Sequence, residues 1–196
     1  SGLVELSFTL DTTVVDEGAE LVVFEELYRD GVKIAAHEDL ANAQQTVTVA
    51  KPRITTTAAS EDGAKTVVRD VDTTIIDTVS YEGLAPRCNY TLVGTVMNKA
   101  DGKPFADEGG KPITSQADFV AGHADGTISL SFSLDTSMLE AGSELVIFEK
   151  LLRDGEEIAV HEDIEDEGQT VRLVPAAINT YASDPLDGGK LVAAHE

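Results

Sequence analysis

The sequence predicts an all-β chain folded as an antiparallel β-sandwich, and three observations carry that reading. The segments "TTIIDTVSY", "NYTLVGTVM", "TISLSFSL", "ELVIFEKLL" and "EEIAVHED" are short, partly alternating, and rich in β-branched or aromatic residues. Asp-Gly pairs at Asp30-Gly31, Asp62-Gly63, Asp101-Gly102, Asp125-Gly126 and Asp154-Gly155 supply the positive φ angles that tight turns need. The third observation is a repeat: Leu6–Val47 aligns without gaps to Leu130–Val171 at an offset of 124, with 24 of 42 positions identical. One unit is therefore about 124 residues, an ordinary domain size. Several strands separated by turn signals over that length read as a sandwich. No segment keeps a helical period between caps, so helices are not expected.

The repeat also divides the chain. "ITTTA" at Ile54–Ala58 returns as "INTYA" at Ile178–Ala182, so a new unit begins there. Residues 1–50 read as the C-terminal part of a preceding repeat, 51–174 as a complete unit, and 175–196 as the first strand of a following one. The chain looks like a window on a longer tandem array. Its sandwich is immunoglobulin-like in architecture only, because Trp is absent and Cys88 stands alone.

Composition narrows the function. Acidic residues number 36 against 14 basic ones over 196 residues, a net charge of −22. Such a surface repels phosphate backbones and anionic lipid heads, which argues against nucleic-acid and membrane partners. No apolar run approaches the ~18 residues of a membrane helix. A single cysteine makes no internal disulfide and no metal site by itself, and Cys88 reads as a small buried hydrophobe. No cofactor and no metal are expected.

Strand parity then places polar residues on apolar faces. Glu149 shares a face with Leu145, Ile147 and Leu151, and Asp77 with Ile75, Val79 and Tyr81. Gln169 aligns with Val171 and Leu173, while Thr170 and Arg172 point the other way. Thr56 aligns with Ile54 and Ala58. An unpaired buried carboxylate is costly, so it finds a partner or takes a proton. Two adjacent carboxyls can share one proton, leaving one of them an acid at neutral pH. Taken singly, each residue has an ordinary explanation: an edge-strand charge, a β-forming Thr, a turn histidine at His161. The first copy nevertheless repeats the group as Glu25, His37 and Gln45, and the last fragment offers Thr180.

The texts "ITTTAAS", "TTIIDTVSYEGL" and "SELVIFEKLLRDGEEIAVHEDIEDEGQTV" resemble the repeat domains of Gram-positive surface proteins that carry an intramolecular Thr–Gln ester cross-link. "VxFE", "HxD" and "QT" follow one another in that family's order. The resemblance implies a stalk module of a cell-surface adhesin or pilus-like fibre, extracellular and anchored to the cell wall through a region not present in this sequence. It implies neighbouring repeats as partners, a host ligand carried elsewhere, and self-cross-linking rather than enzyme turnover. It implies Thr56 as nucleophile, Gln169 as acyl donor, His161 as base, and Glu149 with Asp77 as the proton-sharing pair. Asp72 is a rival for the second carboxyl. Thr56 is preferred to Thr55 and Thr57 because it aligns with Thr180. Two alternatives stand beside this reading. One is a Lys–Asn isopeptide sandwich using Lys65; the other is a ligand-binding head with its site in Asn98–Gly126.

Overall fold

The computed structural model describes residues 2–10, 15–178, 180 and 182–183. Among them there is no helix, and the strands divide between a two-sheet sandwich and two small two-stranded pairs. Most of the expected strand beyond Pro175 lies outside the described residues.

The two-sheet sandwich starts at β5 (Arg53–Ala59), the numbering leaving β1–β4 for the preceding segment. It continues through β6 (Thr66–Val68), β7 (Thr73–Glu82), β8 (Asn89–Asn98), β9 (Lys103–Pro104) and β10 (Thr114–Val120). It ends with β11 (Gly126–Leu134), β12 (Glu144–Arg153), β13 (Glu156–His161) and β14 (Thr170–Val174). One sheet runs β11-β7-β5 and the other β10-β8-β12-β14-β6, with β13 added to β12 and β9 to β8. Alternation explains the closure. Ile75, Val79, Leu130 and Phe132 of the first sheet face Leu92, Val96, Leu145 and Ile147 of the second, all of them buried. The architecture is an immunoglobulin-like sandwich.

Three local expectations need correction. The pairing is not wholly antiparallel, because β6 runs parallel to β14. The bend after β5 carries the chain across to the other sheet, where Thr66–Val68 lies in the same sense as the last strand. Four of the Asp-Gly pairs form turns with a positive-φ glycine, and at Asp30 and Asp154 the aspartate is positive as well. Gly126 is different: it has no positive φ, and an added Cβ would meet the Tyr81 hydroxyl oxygen at 2.4 Å. Its glycine makes room for a ring. Cys88 is half-buried, packed against the core rather than inside it.

The preceding segment contributes β1 (Glu20–Val22), β2 (Glu25–Arg29), β3 (Val32–His37) and β4 (Thr46–Thr48). They form two small antiparallel pairs, β1 with β4 and β2 with β3. Their apolar side chains are largely exposed, because no opposing sheet is described over them.

Candidate functional site

Four polar side chains converge where the two sheets of the complete unit meet. The parity of β5 turns Thr56 inward and leaves Thr55 and Thr57 outside. The same alternation buries Asp77 on β7 and Glu149 on β12. Gln169 ends the turn before β14, which is held by Gln169 N–H donating to Asp166 O at 3.2 Å and Thr170 Oγ1 to the same oxygen at 2.7 Å. That bond folds Thr170 in too, against the simple alternation. Asp77, Glu149 and Gln169 are 0 % exposed and Thr56 is 8 % exposed.

The hydrogen bonds make one connected set. Thr56 Oγ1 donates to Asp77 Oδ1 at 2.5 Å and lies 3.4 Å from Glu149 Oε1. Gln169 Nε2 donates to Glu149 Oε2 at 2.5 Å and to the His161 carbonyl at 3.3 Å. The Glu149 carboxyl therefore stands between hydroxyl and amide, one oxygen toward each. Asp77 Oδ2 and Gln169 Oε1 are buried without a hydrogen-bond partner. Asp72, the rival carboxyl, is exposed and accepts from Ser133 Oγ at 3.0 Å.

Burial sets the protonation. Loss of hydration pushes Glu149 up to about 10, and the neighbouring Asp77 charge adds to the rise. Burial also raises Asp77, opposed by hydrogen bonds from Thr56 and Glu149. At neutral pH Glu149 thus keeps its proton beside Asp77, whose Oδ1 accepts from the Thr56 hydroxyl.

His161 lies opposite Glu149 in the β12–β13 register. Its Nε2 faces Asp166 Oδ2 at 3.0 Å, while Nδ1 is buried without a partner. Among the described residues it makes no hydrogen bond to Thr56. Asp166 was not singled out by the sequence, and the repeat itself conceals it, since Asn42 stands at the matching position. A turn carboxylate five residues after the histidine was the available signal. Lys65 reaches the backbone carbonyls of Ala58 and Gly168 and no side-chain amide. An added Cβ at Gly168 would sit 2.9 Å from Asp166 Oδ1 and 3.3 Å from Thr56 O, so any side chain there would crowd the carboxylate that meets His161. Among the described residues no cluster of His, Cys, Asp and Glu is arranged to hold a metal.

The first copy assembles part of the same set. Gln45 Nε2 donates to Glu25 Oε2 at 2.6 Å, to Val23 O at 2.8 Å and to His37 O at 3.4 Å. His37 Nε2 meets Asn42 Nδ2 at 3.0 Å. Thr180 is exposed and outside any strand.

The structure resembles a bacterial adhesin from Mobiluncus mulieris, described as containing intramolecular disulfide, isopeptide and ester bond cross-links, in two crystal forms. The TM-score is 0.51 in both, at 17% and 16% identity, over 64% of this chain and 58% of that one. At such identity the likeness is one of fold. No curated protein matches the chain. A family model described as "T-Q ester bond containing domain" matches residues 1–49 and again 52–173. The chain belongs to the family of T-Q ester bond containing domains.

Proposed function

We propose that residues 51–174 form a complete module that joins Thr56 to Gln169 by an ester of its own making, in the shaft of an extracellular surface adhesin. The observation that carries this reading is the Glu149 carboxyl, 3.4 Å from the Thr56 hydroxyl and 2.5 Å from the Gln169 amide in a dry pocket. The family and the resemblance to a cross-linked adhesin support it. Residues 1–50 and 175–196 belong to neighbouring modules, which are the partners. A host ligand, a Gram-positive cell and wall anchorage belong to the same proposal.

The chemistry balances within the pocket. Thr56 Oγ attacks Gln169 Cδ, and Asp77, which already accepts the hydroxyl hydrogen bond, takes the proton. Protonated Glu149 stays beside the amide nitrogen that it already contacts at 2.5 Å, placed to protonate it as the adduct collapses. As the C–N bond breaks, the Glu149 proton passes to nitrogen and ammonia leaves. The pair begins and ends with one shared proton. Asp166 accepts from His161 Nε2–H, which leaves the buried Nδ1 as the unprotonated nitrogen of that ring. One event per molecule consumes no external substrate, so the module is not an enzyme.

The product is mechanical. The bond ties β5 to the turn before β14, closing a loop of 113 residues. A cross-link of that span stabilises by about 4–5 kcal/mol in the chain-entropy model. Intact mass spectrometry tests the reading. The folded chain should weigh one ammonia less than its sequence, and strong base should restore one water. A full sequence mass in folded protein sinks the ester.

A further inference from the structure

Lys65 sits outside the chemistry just described, yet it touches both backbones that carry it. Its Nζ donates to Ala58 O at 2.6 Å and also to Gly168 O. Ala58 lies two residues after Thr56 on β5, and Gly168 immediately precedes Gln169. The Gly168 carbonyl accepts as well from Ala58 N–H at 2.9 Å. β5 and β14 belong to different sheets, so no ladder fixes their relative position at this point. The short chain between Ser60 and Lys65 returns the ammonium to the seam, and the Lys65 carbonyl is itself held by Arg172 N–H at 2.9 Å.

We propose that Lys65 is a positioning residue for ester formation, its ammonium clamping the Ala58 and Gly168 carbonyls together and so setting the approach of Thr56 to Gln169. The inference rests on the ester reading above. A cation bridging two carbonyls makes charge-assisted bonds, stronger than those of a neutral donor. It also faces Asp77, Asp166 and Glu167, whose charges act against the partial dehydration that lowers its own pKa. Asp77 in turn is faced by Thr56 from β5, Glu149 from β12, His161 from β13 and Lys65. The ammonium charge thereby acts against the burial that raises Asp77, the acceptor of the hydroxyl proton.

The test compares Lys65→Met and Lys65→Arg in the full chain, with cross-linking followed by mass after refolding from denaturant over a range of pH. Lys65→Met should form the ester about tenfold or more slowly, since small displacements of reacting groups cost at least that. The acid limb of its pH profile should move to higher pH, and Lys65→Arg should recover most of the rate. Cross-linking of Lys65→Met at the parent rate and pH profile overturns the proposal while leaving the ester intact. Absence of any ammonia loss in the parent chain instead removes the ester and this inference with it. Thr56→Ala/Lys65→Met, which cannot cross-link, isolates the fold. A thermal midpoint close to that of Thr56→Ala alone supports a positioning role, and failure of the double variant to fold overturns it.

Discussion

Residues 20–49 and 144–173 carry nearly the same text and build the same local structure, yet only the second forms a closed site. In both, the glutamate faces the histidine across the hairpin, and the register shifts after two further pairs, between Leu27 and Tyr28 in one copy and between Leu151 and Leu152 in the other. In both, the glutamine carbonyl accepts from the strand before it, at 2.9 Å from Val23 N and 3.2 Å from Ile147 N. In both, its amide reaches the glutamate and the histidine carbonyl. The surroundings differ. Leu27 is 58 % exposed where Leu151 is 1 %, and Phe8 is 61 % exposed where Phe132 is 1 %. Glu25 is exposed and Glu149 wholly buried. Hairpin and turn suffice to gather Gln, Glu and His. The opposing sheet adds the threonine, the second carboxyl and the dryness that keeps a proton on Glu149 at neutral pH.

The sharpest way to break this contrast is to remove the atoms that only the complete copy brings together. Thr56→Ala or Gln169→Ala should abolish the ammonia loss and lower stability to denaturant by about 4–5 kcal/mol, the worth of the cross-link. If Thr56→Ala still lost ammonia, the nucleophile would have to be Thr55 or Thr57, both of which face outward.

Glu149→Ala should leave the sandwich folded and slow cross-linking by about 10²–10⁴-fold, the usual worth of a positioned acid or base. His161→Ala and Asp77→Asn should slow it as well. Time-resolved mass spectra after refolding measure all three; parent rates in Glu149→Ala would refute the shared-proton pair.

A smaller effect sharpens the role of burial. Burial lifts the Glu149 carboxyl from its ordinary 4.5 to about 10 in the folded chain. Its protonated form therefore favours folding at low pH, and that contribution is lost as pH climbs between those values. In a Thr56→Ala chain, urea midpoints should fall as pH rises over roughly 5 to 9, and adding Glu149→Gln should flatten the slope. An unchanged slope would mean that Glu149 is not the group that titrates.

The smallest effect belongs to the open copy. Gln45→Ala should leave a single ammonia loss per chain and change the stability of the complete unit by less than about 0.5 kcal/mol. A second ammonia loss in the parent chain, absent from Gln45→Ala, would show that the two copies are not divided as proposed.

The sequence by itself determined the strands and the direction of their side chains, because alternation is a property of the local backbone. That was enough to send Thr56, Asp77 and Glu149 inward, and the internal repeat was enough to group Glu, His and Gln. What lies across the seam was decided only by the tertiary structure. Asp77 rather than Asp72 meets Thr56, since β7 pairs with β5 in a register that sets Asp77 opposite Ala58, while Asp72 falls before the strand. Asp166 and Lys65 make contacts, to a ring nitrogen and to backbone carbonyls, that no periodicity encodes. Gly126 looked like a turn glycine and proved to be a space for Tyr81, because the neighbour that needs the space is 45 residues away in sequence. The protonation of Glu149 belongs to the same class. It depends on how completely two sheets exclude water, and closure of the sandwich alone supplies that.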